Sequence, residues 1–225
     1  LILIGLFIAL APDLLGDVIP RHGTVGKLLT SLNERKIEDS QHTVMTVPDY
    51  VRRVVTIGES TVDIMGAIGG EPYIVATDGS PYSSSTHING RVELTVDSIK
   101  SYEPDVVVAP DSTPPSLVSS LRAAGIPVFV YTKKDSFNDI ILATKTIGKI
   151  FKDKDSEREF IVSRRNVKKL VEPYEKDKKP VIALYNSSHG VYRSGIVRDM
   201  IEQVHGIDGA GNLVITESCK DINML

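Results

Sequence analysis

From Thr95 to Thr132 the sequence TVDSIKSYEPDVVVAPDSTPPSLVSSLRAAGIPVFVYT sets amphipathic stretches against apolar runs in regular order. Asp97, Ile99, Lys100 and Tyr102 fall on a short amphipathic turn that Pro104 stops. Val106, Val107, Val108 and Ala109 then form an unbroken apolar run, the mark of a strand covered on both faces. Thr113 stands where it can cap a second helix, Pro114 and Pro115 suit that helix's first turn, and Gly125 ends it. Ile126 to Val130 is a second buried strand. Two parallel strands joined by a helix place their C-terminal ends on one edge, where open α/β sheets bind ligands.

The same pattern extends upstream. Arg53 to Ile57 reads as a strand, Gly58-Glu59-Ser60 as a turn, and Thr61 to Ile68 as a helix closed by Gly69-Gly70, with Asp63 as cap partner of Ser60. Tyr73 to Ala76 is another strand, and Thr77 to Arg91 a long polar loop rich in Gly, Ser, Tyr and Asn. Residues 48–135 are therefore expected to form an open, mostly parallel sheet with strands near 53–57, 73–76, 105–109 and 126–130.

Ser136 opens a different element. Ser136 with Asp139 has the capping-box spacing, and Ile140, Ala143, Ile147, Ile150 and Phe151 recur at helical intervals. Ser156 with Glu159 repeats the box, and Phe160, Val167, Leu170 and Val171 prolong the stripe beyond a weak point at 152–155. An unbroken helix over 137–172 would reach about 50 Å, long enough to pass between two lobes, and 136–178 is assigned to that connector. Val181 to Tyr185 is a new buried strand, Asn186 to Ser194 a polar loop, Ile196 to Val204 a helix, and Leu213 to Thr216 a further strand. Residues 179–225 thus read as the start of a second lobe, incomplete by the measure of ordinary domain sizes.

Leu1 to Ala11 is continuously apolar but shorter than the about 20 residues that span a bilayer. It has the character of the core of an export signal or an anchor, with Ala9-Leu10-Ala11 resembling a cleavage pattern but without a basic region before it; a buried strand or helix start is the competing reading. Residues 13–47 are mixed and polar and read as a tether, with some helix around Val25 to Leu32. The net charge of −3 carries no basic face for nucleic acid. The single cysteine, Cys219, makes no internal disulfide, and no Cys/His spacing suggests zinc. No phosphate-binding P-loop, no dinucleotide-type glycine motif after a strand and no G-x-S-x-G elbow is present.

Four segments together resemble the substrate-binding proteins of ABC importers, in the group that carries ferric siderophores, haem or vitamin B12. RRVVTIGESTVDIMGAIGG is similar to that family's opening strand, Ser/Thr turn and helix, and TVDSIKSYEPDVVVAP to its helix and Pro-Asp-x-Val strand. LRAAGIPVFVYT followed by SFNDII resembles its Gly-Ile-Pro-Val strand and the entry to its long helix. SGIVRDMIEQVHGIDGAGNL resembles the first helix of its second lobe. The resemblance covers residues 50–213 and rests on the order of the motifs, since each alone is common among α/β proteins.

The resemblance implies a two-lobe α/β fold, parallel sheets bridged by one long helix and a ligand held between the lobes. It implies an extracytoplasmic, monomeric protein that delivers its ligand to a membrane permease and its ATPase, without chemistry and without a resident cofactor. An iron chelate, haem and a corrinoid all suit aromatic and polar loops. Asp97 takes the place of the family's docking carboxylate, where a Glu is usual; an acid in a helix's first turn is also favoured by the dipole alone. Ligand contacts are expected in the loops after strands: Glu59, Ser60 and Thr61, then Tyr82 and His87, then Tyr131. In the second lobe they are Asn186, His189, Tyr192 and Arg193. Tyr and His offer aromatic surface with a polar tip, or iron ligation to haem, and Arg193 suits a carboxylate. Partly exposed loop residues of no function are the alternative for each. A cell-surface sensor and an α/β enzyme with an unrecognised site are the competing functions.

Overall fold

The computed structural model describes residues 34–78, 88, 90–133, 136–152, 156–171, 181–182, 185–186, 190–191, 195–203 and 206–208. The chain divides into two compact units, one of residues 1–131 and 149–152, the other of residues 132–148 and 153–225.

The first unit is built on four parallel strands: β3 (Val54–Thr56), β4 (Ile74–Thr77), β5 (Val106–Pro110) and β6 (Val128–Tyr131), in the order β4-β3-β5-β6. Every residue of β5 and β6 is buried, as their unbroken apolar character requires. Val55, Ile57, Val107, Ala109, Val128 and Val130 form a core with Ile99 of helix α2 (Val96–Ser101) and with Val118 and Leu121 of helix α3 (Pro115–Ala123). The intervening residues, among them Val54, Val106, Val108 and Phe129, are as deeply buried on the opposite face. Helix α1 (Glu59–Ala67) follows β3 and contributes Met65, which is fully buried.

Capping differs from expectation in two places. Helix α1 starts at Glu59 with Gly58 as its N-cap, so Ser60 already lies inside the helix and does not cap it with Asp63, which is exposed. Thr113 does not cap α3: Pro114 occupies that position, and the buried Thr113 hydroxyl has no hydrogen-bond partner. Gly125, at φ 78°, ends α3 in the left-handed conformation that favours glycine.

Residues 34–48 are not a tether. They form an antiparallel hairpin, β1 (Glu34–Glu38) with β2 (Val44–Pro48). Only Ile37 and Val47 of its strands are buried, so the apolar signal in the sequence is weak. What fixes the hairpin is polar and distant. Asp39, in its turn, accepts hydrogen bonds from the Gln41 and Thr43 N–H groups, from the Val130 N–H and from Arg122. Ser40 N–H donates to the Val130 carbonyl, so the outer edge of β6 is covered rather than left open for association. Arg35 donates to the Lys149 and Ile150 carbonyls of the 3-10 turn Lys149–Phe151, a cation where helix ends favour one.

The second unit corrects the single long helix. Helix α4 (Phe137–Gly148) and helix α5 (Arg158–Val171) are separate, and the chain leaves the helical region at Lys152, φ 60°. Arg164 donates to Asn138 Oδ1 at 2.7 Å. In a straight helix those residues would stand about 39 Å apart at the usual rise, so α5 folds back along α4. Ser136 caps α4 as expected, with Asp139 N–H donating to Ser136 Oγ at 3.2 Å, and the Ser136 hydroxyl donates in turn to the Asp139 carboxylate. Ser156 donates its hydroxyl to the Thr144 carbonyl, 3.2 Å away, and stabilises the fold-back. Helix α6 (Gly195–Gln203) adds Asp199, which accepts from the Phe137 N–H at the start of α4.

In this unit β7 (Val181–Ile182) pairs in parallel with β10 (Ile207–Asp208), and residues 183–184 lie outside the described residues. β8 (Tyr185–Asn186) is antiparallel to β9 (Gly190–Val191), so Asn186, Gly190 and Val191 of the expected polar loop lie in paired strands. Among the described residues no helix is long and apolar enough to cross a membrane.

Candidate ligand-binding edge

Because all four strands of the first sheet run in parallel, Thr56, Thr77, Pro110 and Tyr131 end on one edge. The turn after β3 is the most tightly determined part of that edge. Gly58 adopts φ 83°, which a side chain would strain, and a Cβ there would meet Pro110 Cγ at 3.4 Å. Its N–H donates to Asp78 Oδ1 at 2.6 Å. Thr61 N–H donates to the Gly58 carbonyl, and the Thr61 hydroxyl to the Ile57 carbonyl at 2.5 Å. With the Thr61 hydrogen engaged, the Tyr131 hydroxyl, 3.1 Å away, is left as donor to Thr61 Oγ1.

These contacts sort the expected site residues. Glu59 is exposed and Ser60 half-buried at the start of α1, where either can meet a ligand. Thr61 and Tyr131, 0% and 1% exposed, lie behind the edge and bond to each other. Burial raises the Tyr131 phenol above its ordinary pKa; the Thr61 bond opposes this, and the charges of Asp111 and Asp63 add to it. The ring is thus held neutral as a strut. Asn186 lies in β8 of the second unit. Tyr82, His87, His189, Tyr192 and Arg193 lie outside the described residues.

Asp97 sits exposed in the first turn of α2, whose N-cap is Thr95: the Ser98 N–H donates to Thr95 Oγ1 at 3.3 Å. The cap is supplied by Thr95, which leaves the Asp97 carboxylate outside that bond.

Sequence reading missed Asp78. It is the first residue after β4, half-buried, and its N–H also donates to the Thr56 carbonyl at 3.4 Å. A lone acid at the head of a polar loop carries no local signal; only the pairing of β3 with β4 brings it to Gly58.

A cleft of about 270 Å³ lies at the opposite edge, before the strands begin. Tyr73 and Phe151 stack there with centroids 5.4 Å apart, and Lys152 lies over Tyr50 and pairs with Asp49 at 2.6 Å. Its cation and carboxylate already satisfy one another, and it is not the edge at which parallel sheets take ligands.

The model of the family described as periplasmic binding protein matches residues 54–222, from β3 to beyond β10. The chain belongs to that family. A cobalamin-binding protein of Halobacterium salinarum is 28% identical over 119 residues, 50% of this chain and 32% of that relative. Among solved structures, a periplasmic solute binding protein from Veillonella parvula is similar with TM-score 0.66 at 18% identity, over 82% of this chain and 62% of that one. The heme binding protein HmuT is similar with TM-score 0.58 at 18% identity, over 80% of this chain and 63% of that one. For the periplasmic heme-binding protein RhuT from Roseiflexus sp. RS-1 the TM-score is 0.55 at 21% identity, over 73% and 68%. These likenesses establish the α/β periplasmic-binding-protein fold. The chain spans less than two thirds of the length of HmuT and about a third of the cobalamin-binding relative.

Proposed function

We propose that this chain is the ligand-capturing part of an extracytoplasmic binding protein that serves an ABC importer. The observation that carries the reading is the family match from Val54 to residue 222. The preformed Gly58–Thr61 turn supports it, because a turn held by Asp78, Thr61 and Tyr131 presents Glu59 and Ser60 without further ordering. The ligand is a metal chelate of the haem, ferric siderophore or corrinoid kind. The named ligands of the relatives favour that class, and the aromatic and polar residues Tyr82, His87, His189, Tyr192 and Arg193 suit it.

Capture and delivery use different surfaces in this reading. Asp97 docks the protein on a permease that works with its ATPase, and the strand ends hold the ligand. The protein acts as a monomer, with no chemical step and no resident cofactor.

Titration with hemin, ferrichrome and cyanocobalamin, followed by absorbance and calorimetry, tests the capture. Saturable binding of one of them, weakened by Tyr192→Ala and Arg193→Ala, is expected. Binding of none by a complete protein that contains this chain would overturn the reading. In cells, Asp97→Ala is expected to reduce uptake with affinity unchanged; loss of affinity instead would misplace the docking surface.

A further inference from the structure

Two segments leave the sheet at the proposed ligand edge of the first unit, at Gly58 and at Asp78, and one side chain joins them. The first is the Gly58–Thr61 turn. The second begins at Asp78, the residue that follows β4 and opens the polar stretch carrying Tyr82 and His87. We propose that Asp78 is a positioning residue for ligand capture, a carboxylate latch that holds the Gly58 turn and ties it to the root of the second loop. The role in capture rests on the function proposed above; the latch itself does not.

Geometry singles out Asp78. Gly58 has left the strand and adopts φ 83°, so its N–H is outside the ladder that satisfies Val54 to Thr56. Ile57 N–H still reaches the Val108 carbonyl at 2.9 Å, but one residue later the sheet offers no partner. Asp78 Oδ1 takes that N–H at 2.6 Å, the short distance of a hydrogen bond to a charged acceptor. An unpartnered N–H at this half-buried place would be costly, so the bond is a strong constraint. Asp78 is itself held, through its N–H to the Thr56 carbonyl at 3.4 Å. Asp78 thus ties the end of β4 to the Gly58 turn through its side chain and to β3 through its backbone.

The arrangement is also selective about the acceptor. Alanine removes the bond, and asparagine keeps an oxygen at the same reach without the charge. The Gly58 turn retains the Thr61 bonds in either variant, so the fold survives and the effect is local.

The test uses the full chain, with hydrogen exchange of individual amides read by NMR and binding read with hemin and cyanocobalamin. In Asp78→Ala the Gly58 amide is expected to exchange roughly tenfold faster or more, as loss of a hydrogen bond to a charged group implies. The Val107 and Val128 amides should be unchanged. In Asp78→Asn most of the Gly58 protection should return. Affinity for whichever probe binds should fall roughly tenfold in Asp78→Ala and recover in Asp78→Asn, since preorganisation is lost in one and kept in the other. A Gly58 amide that exchanges equally in Asp78→Ala and the unaltered chain overturns the latch. Faster exchange with undiminished affinity overturns its role in capture. Faster exchange where the unaltered chain binds neither probe supports the latch and counts against the proposed function instead.

Discussion

The two units of this chain are stabilised by different means. In the first, β5 and β6 are buried throughout, and Leu121, Phe129 and Met65 are entirely withdrawn from solvent. In the second, among the described residues, Val181 is 68% exposed and Leu170 73%. The polar contacts differ in the same sense. In the first unit carboxylates bind backbone N–H groups: the buried Asp39 takes that of Val130, and the half-buried Asp105 takes those of Arg52 and Arg53. In the second unit the ion pair between Lys145 and Glu157 lies nearer solvent. A sheet with both faces covered holds its strand ends rigidly; exposed apolar side chains such as Val181 and Leu170 contribute no such cover.

The sharpest way to break that contrast is a pair of truncations. Leu121→Ala removes a fully buried side chain from the core between α3 and the sheet and should cost about 2–5 kcal/mol. Val181→Ala, at an exposed position, should change stability by less than about 0.5 kcal/mol. Denaturant unfolding of the two variants measures both. Equal costs would mean that the second unit is covered as well as the first.

The next effect is polar. Asp39→Ala strips the Val130, Gln41 and Thr43 N–H groups of their carboxylate acceptor and leaves Arg122 with the Val128 carbonyl, at a site where the carboxylate is fully buried. A loss of about 1.5–3 kcal/mol is expected, the range for hydrogen bonds to charged groups. It should come with faster exchange of the Val130 amide. A neutral result would show that the hairpin is dispensable to β6.

How far the sequence could be read follows the same division. The runs at Val106–Ala109 and Ile126–Val130 are legible because residues buried on both faces must all be apolar, and the observed strands fall on them. The Ser136–Asp139 cap is legible because both partners are close in sequence. Asp39, Arg35 and Asp78 act across 91, 115 and 20 positions, and no periodicity records such contacts. Tyr131 ends an apolar strand, and its hydroxyl suggests a ligand contact as readily as the buried bond to Thr61 that it makes. The break between α4 and α5 was obscured because the apolar stripe resumes after it, so that a fold-back and a straight helix give the same spacing. Of the expected site residues, Glu59 and Ser60 stand at the edge, and Asp97 stands exposed on α2.

A smaller effect separates a buried hydroxyl from its ring. Tyr131→Phe removes the hydrogen bond to Thr61 and should cost about 0.5–1.5 kcal/mol. Its pH dependence is the more specific sign. Burial raises the phenol in the folded state, so above the ordinary tyrosine pKa of about 10 the folded chain keeps a proton that the unfolded chain releases. That stabilisation is fully present at lower pH and declines as pH rises through the unfolded value towards the folded one. Denaturation midpoints between about pH 9 and 11 should fall for the unaltered chain and fall less for Tyr131→Phe. Parallel curves would place the ring in contact with water.

The smallest expected effect probes the second unit at its best-placed ion pair. Glu157 binds Lys145 at 3.1 Å, and its carboxyl lies below the ordinary range, first through a hydrogen bond from its own backbone and, against some desolvation, through Lys145. A depressed folded pKa contributes stability at neutral pH that is lost as pH falls through the folded value. Lys145 is mostly exposed, so screening leaves a coupling of about 0.2–1 kcal/mol. A double-mutant cycle of Lys145→Met and Glu157→Gln should give that range at low salt, and high salt should remove most of it. The corresponding cycle of Asp39→Asn and Arg122→Met in the first unit should give a larger coupling that resists salt, because one partner is buried. If the Lys145–Glu157 coupling matched it and survived salt, the fold-back of α5 on α4 would be as firmly held as the sheet, and the contrast between the units would rest on apolar cover alone.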